Sequence, residues 1–100
     1  MRYRRAELIR NFADRETERV WLGGRSRRLP PTIQETALRK LRSLDGARRL
    51  TDLRAPPGNQ LEALTDDRRG QHSIRINQQW RICFRWTDGH SHDVEICDYH

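Results

Sequence analysis

Apolar side chains recur at every second position in the final third of the chain. They form a short run and a longer one: Ile74 and Ile76, then Trp80, Ile82, Phe84 and Trp86. The positions between them are mostly basic: Arg75, Asn77, Arg81, Cys83 and Arg85. Successive side chains of a β-strand point to opposite faces of the sheet. The pattern therefore predicts two strands with one packed face and one face that presents guanidinium groups.

Polar segments between and after these runs predict the turns of the sheet. Residues 77–79 have the length of a hairpin loop, and residues 87–92 contain an Asp-Gly turn signal. Val94 and Ile96 continue the alternation as a third strand. An antiparallel meander is the simplest topology for these strands.

Two segments in the first half of the chain are predicted to be helices. Asp14 can cap a helix that runs through Trp21 to a Gly-Gly stop. The second helix is predicted to begin at a Thr32-x-x-Glu35 capping box behind two prolines, which cannot continue a helix backwards. Its apolar side chains share one helical face: Ile33, Ala37, Leu38, Leu41 and Leu44.

The remaining elements complete an α+β plan. An Asp-Gly pair separates the second helix from a short third helix over residues 47–53, and brief strands are predicted near residues 8–12 and 61–64. This order predicts a small antiparallel β-sheet with two to three helices packed on one face. A chain of 100 residues can build one modest core. We interpret residues 1–7 as a loose N-terminal extension and residues 8–100 as a single domain.

Composition narrows the class of partner. The formal net charge is +6, and Lys40 is the only lysine among 20 basic residues. Arginine binds phosphate in a bidentate manner, so this charge favours nucleic acid as a partner. No apolar run approaches the roughly 20 residues of a membrane-spanning helix, which predicts a soluble, cytoplasmic protein. Cys83 and Cys97 are the only cysteines; we expect them to be cross-strand neighbours and reduced.

The last residues of the chain carry groups that could cleave RNA. RNA supplies its own nucleophile, the 2′-hydroxyl, so a ribonuclease can act without a metal if it provides a base, an acid and positive charge. Asp98, Tyr99, His100 and Arg81 offer these groups. Strand alternation puts Asp98 and His100 on one face and Tyr99 on the other, unless the terminus bends. Each group also has an ordinary alternative as a surface or core-edge residue.

Other kinds of chemistry find little support. Cys83, His90, His92 and Cys97 do not have the spacing of a structural zinc site, and no Gly-rich phosphate loop or nucleophile elbow is present. We therefore predict neither a metal nor a cofactor.

Four segments carry a resemblance to a known family: GQHSIRINQQWRICFRW, the terminal VEICDYH, and upstream IRNFADRETERVW and LRAPPGNQLEAL. Together they resemble the HigB branch of the RelE/ParE toxin superfamily, the killer proteins of plasmid-maintenance toxin-antitoxin systems. The likeness covers about residues 8–100. It implies a type II toxin that is a ribosome-dependent endoribonuclease and cleaves messenger RNA in the ribosomal A site.

The resemblance also implies which residues form the site. Asp98, Tyr99, His100 and Arg81 match the family's active-site positions. Family members can carry a catalytic histidine where this chain has Glu62, and a carboxylate can accept a proton but donates one poorly at neutral pH. Five further residues are expected to contact RNA: Arg75, Arg68, Arg69, Asn77 and Arg85.

The implied partners are a HigA-like helix-turn-helix antitoxin, the ribosome and messenger RNA, with operator DNA contacted only through the antitoxin complex and no membrane. Two alternatives remain open. A ParE-like relative on the same fold would inhibit DNA gyrase by protein contact. A catalytically weak relative would retain only the binding of RNA or antitoxin.

Overall fold

The structure is a computed structural model that describes residues 9–98. Its helices are α1 (Arg15–Trp21) and α2 (Pro31–Gly46), followed by short 3-10 turns at Leu50–Arg54, Pro57–Asn59 and Asp66–Arg68. The strands are β1 (Glu62–Ala63), β2 (His72–Arg75), β3 (Trp80–Thr87) and β4 (His90–Asp98). The predicted extension over residues 1–7 and two predicted site residues, Tyr99 and His100, lie outside the described residues.

The strands form one antiparallel sheet in the order β1-β2-β3-β4, which confirms the predicted meander and the α+β class. Ile82 lies opposite both Ile74 and Ile96, so the predicted apolar alternation is in register across three strands. Helix α2 packs on β3 and β4. The largest fully buried apolar side chains lie between helices and sheet: Phe84, Leu41, Leu44, Leu53, Ile74, Ile82, Val20 and Val94.

Helix α2 begins and ends differently from its prediction. Pro31 is its first residue and Pro30 its N-cap, so the expected capping box at Thr32 does not form. Proline suits the first helical position because the N–H that it lacks would have no intrahelical partner there. The helix also continues through Asp45, whose buried carboxylate accepts a hydrogen bond from the Ile9 amide at 3.1 Å. The predicted third helix is the 3-10 turn at Leu50–Arg54.

The predicted first strand does not form among the described residues. Ile9 and Phe12 instead make isolated parallel bridges to Ser91 and Val94. The Arg10 amide donates to the Ser91 carbonyl at 2.8 Å, and further bonds tie residues 11–13 to Val94. An uncovered edge strand exposes backbone groups that other chains can pair with. This segment therefore covers the outer edge of β4.

The second face of the sheet departs in part from the prediction of an exposed guanidinium surface, since Arg85 is exposed and Arg75 half-buried but Arg81 is not. Ser73, Arg81 and Cys83 are buried there. Cys83 and Cys97 pack with Leu64 in a small second cluster. The two cysteines are neighbours, as expected, but a disulfide joins them, so the expectation of reduced thiols is wrong. No helix within residues 9–98 is long and apolar enough to cross a membrane.

Candidate functional site

The centre of the candidate site is the buried guanidinium of Arg81. Its side chain is 8% exposed. The Nε atom donates to the hydroxyl of Ser73 on β2 at 2.6 Å, and Nη2 donates to the backbone carbonyl of Gln60 at 2.6 Å. A buried charge is tolerated only when it is paired and hydrogen-bonded. These contacts, which come from a strand and a loop, therefore hold the guanidinium in one orientation.

Glu62 is the carboxylate that accompanies Arg81 on this face. The register sets Glu62 opposite Ser73, so β1 carries its side chain over the position where Ser73 meets Arg81. Glu62 Oε1 lies 3.8 Å from Arg81 Nε, and the Glu62 side chain is 44% exposed. The site therefore combines a buried cation with a solvent-accessible carboxylate.

The loop before β1 is fixed by a buried amide. Asn59 is fully buried and donates from Nδ2 to the carbonyls of Leu53 and Ala55, both at 3.1 Å. Its Oδ1 accepts a hydrogen bond from the Lys40 ammonium. Burial lowers the pKa of Lys40 below its ordinary value of 10.5, and the nearby Arg39 charge adds to this effect. The loop thereby presents the Gln60 carbonyl, in a left-handed backbone conformation with φ of 45°, to Arg81.

Asp98 does not share the face of Arg81. Arg81 lies opposite Cys97, and Asp98 is the next residue along β4, opposite Trp80. Neighbouring strand residues point to opposite faces. The Asp98 side chain therefore lies on the helix-packed face of the sheet, opposite the face that carries Arg81. Its Oδ2 accepts a hydrogen bond from Gln79 Nε2 at 3.0 Å. Among the described candidates, the structure thus brings together Arg81 and Glu62.

Two of the residues expected to contact RNA lie at the hairpin between β2 and β3. Arg75 is the cross-strand partner of Arg81 and donates from Nε to the Asn77 carbonyl at 3.0 Å. The side-chain oxygen of Asn77 accepts hydrogen bonds from the amides of Gln79 and Trp80, at 2.8 and 2.7 Å. Asn77 therefore closes the turn, and this oxygen is occupied by the backbone.

The other three expected RNA contacts lie outside this hairpin. Arg68 pairs with Glu95 at 3.1 Å, and Arg85 Nε lies 3.6 Å from an oxygen of Asp93. The Arg85 guanidinium also crosses Gly70, where a Cβ would stand 2.8 Å from Nη1. Arg69 is exposed. Partly exposed ion pairs contribute little to stability, so Arg68 and Arg85 can exchange their carboxylate partners for phosphate.

Comparison with known proteins identifies the family of this chain. The family described as RelE-like toxin of type II toxin-antitoxin system HigB matches residues 10–100. The chain belongs to this family. Toxin HigB-1 of Vibrio cholerae is 44% identical over 79 residues, which cover 78% of this chain and 83% of that protein. An uncharacterized protein of Haemophilus influenzae is 28% identical over 69 residues, which cover 69% of this chain and 68% of that protein.

Membership of the HigB family implies an antitoxin as a partner, since a type II toxin belongs to a toxin-antitoxin pair. Within this HigB-like toxin, sequence reasoning missed the residues that hold Arg81. Ser73 and Gln60 have no periodicity or motif that marks them. Asn59 follows a Pro-Pro-Gly loop and gives only a turn signal.

Proposed function

We propose that this HigB-like toxin is a metal-independent, ribosome-dependent endoribonuclease that cleaves messenger RNA and so inhibits translation. The observation that carries the proposal is the Arg81 guanidinium, which is buried, fixed by Ser73 and Gln60, and 3.8 Å from the accessible carboxylate of Glu62. A preorganised cation stabilises the negative charge that develops on the oxygens of the phosphorane, without reorganising during the reaction.

The proposed reaction is an internal transfer at one phosphodiester. Glu62 accepts the proton of the 2′-hydroxyl, the 2′-oxygen bonds to phosphorus, and the bond from phosphorus to the 5′-oxygen breaks. His100 donates a proton to that departing oxygen. The products are a cyclic 2′,3′-phosphate and a free 5′-hydroxyl, so atoms and charge balance without a metal.

The remaining predicted residues take supporting roles in this proposal. Asp98, the second candidate base, lies on the other side of the sheet from Arg81, which favours Glu62. Tyr99 would stack on or hydrogen-bond the displaced nucleotide. Backbone phosphates of messenger or ribosomal RNA would be held by Arg75, Arg68, Arg69 and Arg85, with Asn77 acting through the turn that it closes.

The proposed setting follows from the reaction. A toxin that acts on translating ribosomes works in the cytoplasm. Its antitoxin would be a HigA-like helix-turn-helix protein, and operator DNA would be contacted only by the complex of the two. The excess of arginine is consistent with a surface that meets RNA.

Transcript mapping after induction tests this function. We expect primer extension to find new 5′ ends within translated messages when the parent protein is induced. Induced Arg81→Ala protein should cleave those messages far more slowly than the parent. Arg42→Ala, which removes an exposed arginine from α2, should cleave like the parent. Intact messages together with an early arrest of DNA synthesis would instead support a ParE-like action on gyrase.

A further inference from the structure

Ser73 is a fully buried hydroxyl at the centre of the sheet. It lies on β2 between Glu62 of β1 and Cys83 of β3. Its Oγ accepts the hydrogen bond from Arg81 Nε at 2.6 Å. A serine that only filled space in the core would not need its hydroxyl within hydrogen-bonding distance of a guanidinium. Its position is therefore informative about Arg81.

We propose that Ser73 is a positioning residue that sets the plane of the Arg81 guanidinium for phosphate, together with the backbone carbonyl of Gln60. The proposal rests on the function proposed above and adds to it a residue that does not itself touch RNA. The guanidinium is planar, and its N–H groups point in fixed directions. Acceptors at both Nε and Nη2 therefore fix its rotation about the side-chain axis.

The two acceptors are themselves rigid. Ser73 belongs to a strand that is hydrogen-bonded on both sides. The Gln60 carbonyl follows Asn59, whose buried amide makes three contacts within the protein. Orientation held in advance lowers the barrier of the chemical step, and small displacements of a reacting group can cost up to about 100-fold in rate.

Loss of the Ser73 hydroxyl has a specific consequence at this site. Arg81 Nε would lose its 2.6 Å acceptor while the Glu62 carboxylate remains 3.8 Å away. We expect the guanidinium to turn toward Glu62. The turn would move the cation from the phosphate and would occupy the carboxylate that serves as base. Both effects lower the rate of the chemical step rather than the binding of the toxin to the ribosome.

Ser91 provides a matched control on β4. It is also a fully buried strand serine, and its Oγ has no hydrogen-bond partner within residues 9–98. Ser73→Ala and Ser91→Ala remove the same atom from similarly buried positions. A general effect of losing a buried hydroxyl would appear in both variants.

The test is a double-mutant cycle of Ser73→Ala and Arg81→Ala on ribosomes programmed with a message whose mapped cleavage site occupies the A site. We expect Ser73→Ala to lower the maximum cleavage rate by roughly 10- to 100-fold, with the half-saturating toxin concentration unchanged. In the Arg81→Ala background the same change should alter the rate by less than about twofold, because the serine acts through the arginine. Ser91→Ala should cleave like the parent. Circular dichroism at the assay temperature verifies that each variant is folded.

For a folded Ser73→Ala protein, three results would overturn the inference. The first is a Ser73→Ala rate equal to that of the parent, and the second is an equal loss with and without Arg81. The third is a rise in half-saturating concentration at an unchanged maximum rate. A parent protein that cleaves no message on any ribosome is a different result, because it overturns the proposed endoribonuclease function and this inference with it. If Ser73→Ala does not fold, Ser73→Thr takes its place in the test. This variant keeps the hydroxyl and should retain the parent's cleavage rate. A folded Ser73→Thr protein with the rate of Arg81→Ala also counts against the inference.

Discussion

Cys83 on β3 and Cys97 on β4 are joined by a disulfide, although the register sets Cys97 opposite Arg81 and Cys83 opposite Glu95. The bond therefore runs diagonally across the two strands. It ties β4 to its neighbour one residue before Asp98, on the face that carries Arg81. Oxidation of these cysteines thus bears on the stability of the strand that leads to the predicted terminal site residues.

The disulfide predicts a difference in stability between oxidised and reduced protein. A link between residues 14 apart in sequence restricts the unfolded chain and is worth up to about 3 kcal/mol for a loop of this size. We expect urea unfolding of the oxidised protein to have a higher midpoint than unfolding in the presence of a thiol reductant. The Cys83→Ala, Cys97→Ala double variant should not respond to the reductant. Equal midpoints for oxidised and reduced parent protein would contradict the prediction.

The choice of base predicts unequal effects at two carboxylates. Glu62 shares a face with Arg81, whereas Asp98 lies on the opposite face and accepts a hydrogen bond from Gln79. We expect Glu62→Gln to lower the single-turnover cleavage rate on programmed ribosomes by about 100-fold or more, the range typical of general-base loss. Asp98→Asn should have the smaller effect. A larger loss for Asp98→Asn would assign proton abstraction to that residue.

Strand periodicity predicted most of the sheet because alternating apolar residues have to meet the core. The isoleucines at positions 74, 82 and 96 lie opposite one another for this reason. The Asp-Gly turn was predicted as well, because such a turn needs residues that tolerate positive φ. Asp88 and Gly89 both adopt it. Strand β4 starts at His90, before its first alternating apolar residue, because residues 90–93 are all polar and give no apolar periodicity.

The surroundings of Arg81 could not be predicted from the sequence. Alternation places Arg81 on the second face, but it does not reveal that the loop at residues 57–60 covers that face. The covering depends on the buried amide of Asn59 and on a left-handed backbone at Gln60. The contact between this loop and Arg81 joins residues 21 apart in sequence, and no glycine marks the positive φ of Gln60, so local pattern encodes neither feature. The pairing of Arg81 with Ser73 follows from register, which the hairpin length alone did not fix.

A hydroxyl on α1 is predicted to stabilise strand β4. Thr17 is fully buried, and its Oγ1 accepts a hydrogen bond from the Ile96 amide at 2.9 Å. Thr17→Val keeps the shape of the side chain but leaves this amide without its acceptor, which costs about 1–3 kcal/mol in the free energy of unfolding. Urea denaturation measures the change. Thr36→Val on α2, which removes only an exposed contact to Arg39, should stay within about 0.5 kcal/mol of the parent. Equal effects of the two substitutions would argue against a role for Thr17 in holding β4.

The 3-10 turn at Leu50–Arg54 predicts a dependence of stability on pH. Asp52 Oδ2 accepts hydrogen bonds from the amides of Arg49 and Arg48, both at 3.0 Å. These bonds, that of Arg49 first, lower the pKa of Asp52 below its ordinary value of 3.8. A carboxylate whose pKa is lower in the folded state stabilises the protein above the unfolded value, and this stabilisation is lost as the pH falls through the folded pKa.

The corresponding variant is Asp52→Asn, which keeps the size of the side chain and removes its charge. We expect it to have a lower Tm than the parent at neutral pH, and the difference should narrow as the pH falls below about 3.8, because the parent carboxylate then becomes protonated. Thermal unfolding followed by circular dichroism between pH 7 and pH 2.5 measures both trends. Asp67→Asn, at an exposed aspartate of another 3-10 turn, is the matched control and should follow the parent. A difference for Asp52→Asn that stays constant over this range would exclude the amide bonds to the charged carboxylate as its cause.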